Sequence, residues 1–214
     1  MIFPDAPVHM KDLAGQTVDK FGYDTISKVR YKFNNLGYRS DIEFVPNNDA
    51  IILLGNTLTF GVGLPIEKTF AGIIDNTVSN PVYNFAWGCY GHTNYEQLQL
   101  LKSILKVTCP KFIILQINNL NRIRNPDNSV SFNNPIDQIE KEYKKFRSEL
   151  NIVLNNVPHH LLYWDEETYQ FDFSDCLIYN KYHIDNNVVK TPLEMSLFGV
   201  KTHKLIATKL LQNI

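Results

Sequence analysis

The feature that most limits what this chain can become is a pair of short segments that are apolar at almost every position. Ala50–Gly55 (AIILLG) ends on glycine after an unbroken apolar run, and Phe112–Ile117 (FIILQI) reads the same way. A strand with one face in water alternates apolar and polar residues, whereas a strand covered on both faces does not. The two segments therefore predict central strands of a parallel sheet wrapped by helices. VYNFA (82–86) and HLLYW (160–164) are weaker strands that fill out the sheet.

Helical periods fall between these strands. PIEKTFAGIIDNTV (65–78) places Phe70, Ile73, Ile74 and Val78 on one face, and NYEQLQLLKSILKV (94–107) does so with Leu98, Leu101, Ile104 and Leu105. A third helix starts at a cap-and-proline pair, Asn134-Pro135, and repeats Ile136, Ile139, Tyr143, Phe146, Leu150 and Val153, with Glu140 and Lys144 paired on its wet face. The last, about Val200 to Leu211, turns Leu205, Ile206 and Leu210 inward. Strand and helix in alternation predict an α/β fold, a three-layer α/β/α sandwich of the flavodoxin-like kind with a parallel sheet of about five strands. The 214 residues read as one domain, with 1–48 an extension packing on a core of 49–214. Residues 165–192, aromatic and rich in Asn, read as an elaborated loop with some strand, the kind that forms sites or partner surfaces.

Charge excludes several partners. With 21 basic and 22 acidic side chains, and no basic stripe, nucleic acid is not an expected partner. Apolar runs fall far short of the roughly 20 residues that span a bilayer, and Met1–Gly15 lacks the pattern of a secretory signal, so the reading is a soluble, cytoplasmic protein. Cys89, Cys109 and Cys176 are an odd number without metal-ligand spacing, and His159 and His160 point apart on a strand, so no metal or cofactor is expected.

The stretch after the first central strand, GNTLTFGVG (55–63), sits where open parallel sheets place ligands. It lacks the third glycine of a dinucleotide-binding turn and the Lys-Ser/Thr of a phosphate-binding loop. It resembles instead the G-D-S-L-T-x-G block of the SGNH, or GDSL, hydrolases, with Gly55 at the glycine, Asn56 at the aspartate and Thr57 at the nucleophilic serine. Other segments agree in order. FNNLGYRS (33–40) is similar to the N-x-L-G-[FY]-R segment before the first strand. VYNFAWGCYGHTNYEQL (82–98) is similar to the second block, with Ala86 and Cys89 where glycines are common. FIILQINNLNR (112–122) resembles the third block, with Asn118 at the oxyanion asparagine, Gln116 for its glycine and Asn119 for its aspartate. LEMSLFGVKTHKLIATKL (193–210) matches the second half of the final block.

The resemblance implies a hydrolase fold, an oxyanion site at Asn118 and Cys89, and a triad whose members have changed. A triad needs a nucleophilic hydroxyl, an imidazole to take its proton and a carboxylate to orient the imidazole. Thr57 keeps a hydroxyl but adds a stiffening methyl; Glu194 stands for the aspartate, and Leu197 for the histidine. Loss of base or nucleophile costs roughly 10⁴ to 10⁶ in rate. The leading expectation is thus a non-catalytic member that binds an acyl or carbohydrate ligand, or a protein. The first alternative is a carbohydrate or lipid esterase in which Thr57 is activated by His203, His183 or His92. The second is a structural subunit that meets a larger assembly through the aromatic loop Tyr163–Tyr182. Thr57, Cys89 and Asn118 should converge at the C-terminal edge of the sheet, with Leu197 as an apolar plug near Thr57.

Overall fold

The computed structural model describes residues 12–21, 28–87, 92–125, 127, 129–132, 134–163, 174–182, 184–188 and 196–214. Along the chain come an antiparallel hairpin, β1 (Thr17–Phe21) and β2 (Lys28–Lys32); β3 (Ile51–Leu54); the four-residue helix α1 (Thr57–Phe60); α2 (Phe70–Asp75); β4 (Val82–Asn84); and α3 (Asn94–Leu105). There follow β5 (Phe112–Gln116), a small hairpin of β6 (Ile123–Arg124) and β7 (Val130–Ser131), the long helix α4 (Ile136–Leu154), β8 (His159–Tyr163) and β9 (Cys176–Ile178). A second small hairpin, β10 (Asn186–Val188) with β11 (Ser196–Phe198), leads into α5 (Val200–Leu210).

Five strands form the central sheet in the order β4-β3-β5-β8-β9, and every pair in it is parallel. The unbroken apolar runs follow from this position. In β3 and β5, Ile52, Leu54, Ile113 and Leu115 face a cluster with Leu98, Leu101 and Ile104 of α3 and with Tyr143, Phe146 and Leu150 of α4. Their neighbours Ile51, Leu53, Phe112 and Ile114 face the opposite cluster, with Phe70 and Ile74 of α2 and Ile206 and Leu210 of α5. Both faces are dry, and each such side chain contributes about 1.5–3 kcal/mol on burial. The result is the three-layer α/β/α sandwich expected. Among the described residues, no helix is long and apolar enough to cross a membrane.

Local details depart from the sequence reading. The helix expected over 65–78 shrinks to α2, because Thr69 is extended and its hydroxyl accepts the Gly72 N–H at 3.0 Å; a separate 3-10 turn takes Ile66–Lys68. Asn134 does not cap α4: Pro135 holds that place, and the Asn134 amide accepts from Ser131 Oγ and donates to the Asn121 carbonyl, tying down the β6–β7 hairpin. Ile136, at the first turn of α4, is 61% exposed, so the buried stripe starts at Ile139. Leu205 is 37% exposed, since the inward stripe of α5 runs through His203, Ile206, Ala207 and Leu210. Ahead of β3, a region with no dominant period holds the β1–β2 hairpin, and its Phe44 packs edge-on against Tyr83 and Phe85. The aromatic loop supplies β9, the fifth strand.

Candidate functional site

Because β4, β3 and β5 are parallel, the segments that follow them open on one edge of the sheet. The backbone stitches them together: Phe85 N–H donates to the Leu53 carbonyl at 2.8 Å and Trp87 N–H to the Gly55 carbonyl at 3.1 Å. Asn56 is the N-cap of α1, its side-chain oxygen accepting Leu58 N–H at 3.4 Å. That same oxygen is the acceptor for the Thr57 hydroxyl, at 3.5 Å. Gly55 is required by close approach, since a Cβ there would lie 2.2 Å from Thr59 Oγ1 and 2.8 Å from Gln116 Oε1.

Gln116, at the end of β5, fills the space beneath this turn. Its Oε1 accepts from the Thr59 hydroxyl at 2.7 Å and from the backbone N–H groups of Asn56 and Thr59, each at 3.3 Å. Its Nε2 donates to Asn56 Oδ1 at 2.6 Å and to the Tyr179 hydroxyl at 3.4 Å. Asn84 holds the turn from the other side, donating to the Thr59 carbonyl at 2.9 Å. An amide offers both donor and acceptor, so it satisfies this polar turn without a charge.

Asn118 follows β5 and is fully buried. Its backbone N–H donates to Asn94 Oδ1 at 2.7 Å, and its Nδ2 gives one of its two hydrogens to the His92 carbonyl at 3.2 Å. The His92 ring lies against Trp87, centroids 3.7 Å apart. Asn94 opens α3, whose capping box joins Thr93 and Glu96; Arg124 pairs with Glu96 there. Beyond Asn94, a cleft of about 330 Å³ runs between α3 and α4, floored by Leu98, Leu120, Tyr143 and Phe146.

The structure thus brings Thr57 and Asn118 to one edge of the sheet. Cys89, Glu194 and His183 lie outside the described residues. Leu197 is placed by its backbone in β11, opposite Asn187, and its side chain lies outside the described residues. His203 sits on α5, almost wholly buried, with its ring stacked on Phe70 and its Nδ1 accepting Phe70 N–H at 3.0 Å. Burial pushes its pKa down to about 3; nearby Asp185 opposes that shift and Arg39 adds to it. A neutral imidazole has one acceptor nitrogen, and here Phe70 uses it, which leaves Nε2 carrying the proton. On β8, His160 meets Phe112 edge-on, while His159 Nδ1 lies 2.8 Å from the Val157 carbonyl. No group of three or more His, Cys, Asp or Glu among the described residues could hold a metal ion.

Two residues that shape the site escaped the sequence reading. Arg39, in the FNNLGYRS segment, sends a buried guanidinium to the loop after α1, and its place at the end of the N-x-L-G-[FY]-R pattern was the available signal. Asp185 accepts N–H groups of Lys201 and Thr202, both at 2.9 Å, and so anchors the start of α5; no local pattern announces a contact 16 or 17 residues away.

No protein-family model matches the sequence, and no curated protein matches it. In structure, the chain is similar to a protein assigned to the G-D-S-L lipolytic family from Desulfitobacterium hafniense DCB-2, at TM-score 0.50 and 15% identity over 78% of this chain and 100% of that one. It is similar also to the psychrotrophic esterase EstA from Pseudoalteromonas sp., at TM-score 0.50 and 13% identity over 78% of this chain and 96% of that one. Likeness at such identity speaks for the fold. With its five parallel strands between two helical layers and its Gly-Asn-Thr turn at the sheet edge, the chain has the fold of the SGNH (GDSL) hydrolases.

Proposed function

We propose that this chain is a binding protein on the SGNH fold, one that holds a ligand with a carbonyl or hydroxyl group, or a protein partner, at the Thr57–Asn118 edge without efficient ester hydrolysis. The observation that carries this reading is the partner of the Thr57 hydroxyl. Among the described residues it is the Asn56 amide oxygen, which accepts a hydrogen bond but is far too weak a base to take the proton. His203 adds support, because its one acceptor nitrogen already holds Phe70 N–H. Gln116 fills the floor of the turn with an amide, and Asn118 directs its Nδ2 to a backbone carbonyl.

A second reading rests on the neighbours, one named an esterase and the other lipolytic. In it, Thr57 is the nucleophile and His92 or His183 supplies the base. Hydrolysis of activated acyl esters by the purified protein separates the two, with Thr57→Ala as the control for contaminants. The binding reading expects no turnover that depends on Thr57. Clear activity abolished by Thr57→Ala would refute it and establish the threonine esterase.

A further inference from the structure

Gln116 and Asn84 hold the Thr57 turn from the central sheet, and a second set of groups holds the loop that follows it from outside the sheet. After α1 the backbone passes through Gly61 and Gly63, both left-handed with φ of 74° and 81°, to reach Leu64. The last carbonyls of a helix have no partner within it. Here a guanidinium meets them: Arg39 Nη1 donates to the Phe60 and Gly61 carbonyls at 2.9 and 2.6 Å, and Nη2 to the Leu64 carbonyl at 2.6 Å. The Tyr31 hydroxyl accepts Gly63 N–H at 2.7 Å. The same guanidinium lies 4.2 Å from the centroid of the Tyr31 ring and 5.4 Å from that of Phe60. Gly61 has no freedom to drift, since a Cβ on it would come within 2.1 Å of Thr69 Cγ2.

Tyr31 belongs to β2 and Arg39 to the segment that bridges back to Phe33, so both come from the N-terminal hairpin unit, whose strands pair with each other and not with the central sheet. Val29, Tyr31 and Phe33 of that unit bury Phe60 and Ala86. Sealing a guanidinium in this cluster is costly, and burial lowers its pKa to about 10. Apolar packing alone would not require it; three aligned carbonyls do.

We propose that Tyr31 and Arg39 are positioning residues, and that the N-terminal hairpin is a strap which fixes the Gly61–Leu64 loop and, through α1, the accessibility of the side chain at position 57. The strap would serve a binding crevice and a catalytic one alike, so the proposal stands apart from the reading of function above. Thr57→Cys puts a reporter thiol on the turn, and its alkylation by iodoacetamide at neutral pH can be followed residue by residue by mass spectrometry. Exposed Cys109 serves as reference, and half-buried Cys176 on β9 reports general loosening.

In that background, Arg39→Met should raise alkylation at position 57 about tenfold, with Arg39→Lys falling between and Tyr31→Phe giving about threefold, as loss of charged and neutral hydrogen bonds implies. The rates at Cys109 and Cys176 should hold. Tyr31→Phe removes one hydroxyl and keeps the ring, so it tests the strap even if Arg39→Met does not fold. A rate at position 57 that stays within about twofold of the parent in both variants, or that rises only in step with Cys176, overturns the proposal.

Discussion

Beneath the Thr57 turn, Asn56, Thr59, Gln116 and Asn118 are polar and hydrogen-bonded, and none of them titrates near neutrality; between α2 and α5, by contrast, His203 does carry a titratable ring, in a place sealed from water. Among the described residues, the first region is built of amides and hydroxyls, none of which takes a proton near neutrality. The second holds an imidazole whose one acceptor lone pair is taken by Phe70 N–H. A residue type at a motif position therefore says little about chemistry until the partner of each lone pair is known. Tyr179 lies between the two regions, its hydroxyl meeting Gln116 and its ring packing edge-on against Phe198 just before α5.

The sharpest way to break the comparison is to remove the amide from the first region. Gln116→Leu keeps similar bulk but leaves the Thr59 hydroxyl and the N–H groups of Asn56 and Thr59 without their acceptor. Each buried unsatisfied group costs about 1–3 kcal/mol, so the variant should lose about 3–5 kcal/mol of stability in urea unfolding. A loss below about 1 kcal/mol would mean that the amide network is incidental to the turn. Gln116→Glu should fall between, since a carboxylate replaces the acceptor but not the donor to Asn56.

The second region is probed by acid. The folded pKa of His203, about 3, lies below the ordinary histidine value, so between about pH 6.5 and 3 the unfolded chain binds a proton that the folded one refuses. Stability should therefore be constant above that window and fall as pH drops through it, by up to about 1.4 kcal/mol per pH unit. Asp185 acts lower on the scale. Burial pushes its carboxyl up, but the N–H groups of Lys201 and Thr202 and the Thr202 hydroxyl outweigh that and hold it below the ordinary range. His203→Gln should cost stability at neutral pH and reduce the slope between pH 6.5 and about 5, above the range of ordinary carboxylates, with His160, whose pKa burial also lowers, supplying part of the slope that remains. An unchanged slope in that variant would show that the buried ring is not the acid-sensitive group.

The same contrast accounts for what the sequence disclosed. β3 and β5 were legible because a strand dry on both faces has to be apolar throughout, a rule that each strand obeys by itself. The β1–β2 hairpin does alternate, with Val29 and Tyr31 inward and Arg30 outward, where it meets Asp19. Five residues of period two amid charges are too faint a signal against the neighbouring polar chain. At the site, Gly55, Thr57 and Asn118 could be picked out because the family's blocks are local. The roles of Gln116 and Arg39 depend on partners that lie, in the numbering, 57 to 63 and 21 to 25 residues away, and only the folded chain brings these together.

The smallest expected effect concerns Thr57 itself, and it bears most directly on which region matters for stability. Among the described residues its hydroxyl makes one long hydrogen bond, 3.5 Å to Asn56 Oδ1, and the side chain is only half-buried. At that distance the bond contributes little, and Asn56 Oδ1 keeps stronger donors in Gln116 Nε2 and Leu58 N–H. Thr57→Val preserves the shape, so it should change stability by less than about 0.5 kcal/mol, against several for Gln116→Leu one layer below. That outcome would leave the hydroxyl free of any structural duty and open to a group bound at the sheet edge, as the proposed binding role requires. If Thr57→Val instead costs more than about 1.5 kcal/mol in urea unfolding, the hydroxyl is part of the amide network, and its survival needs no ligand to explain it.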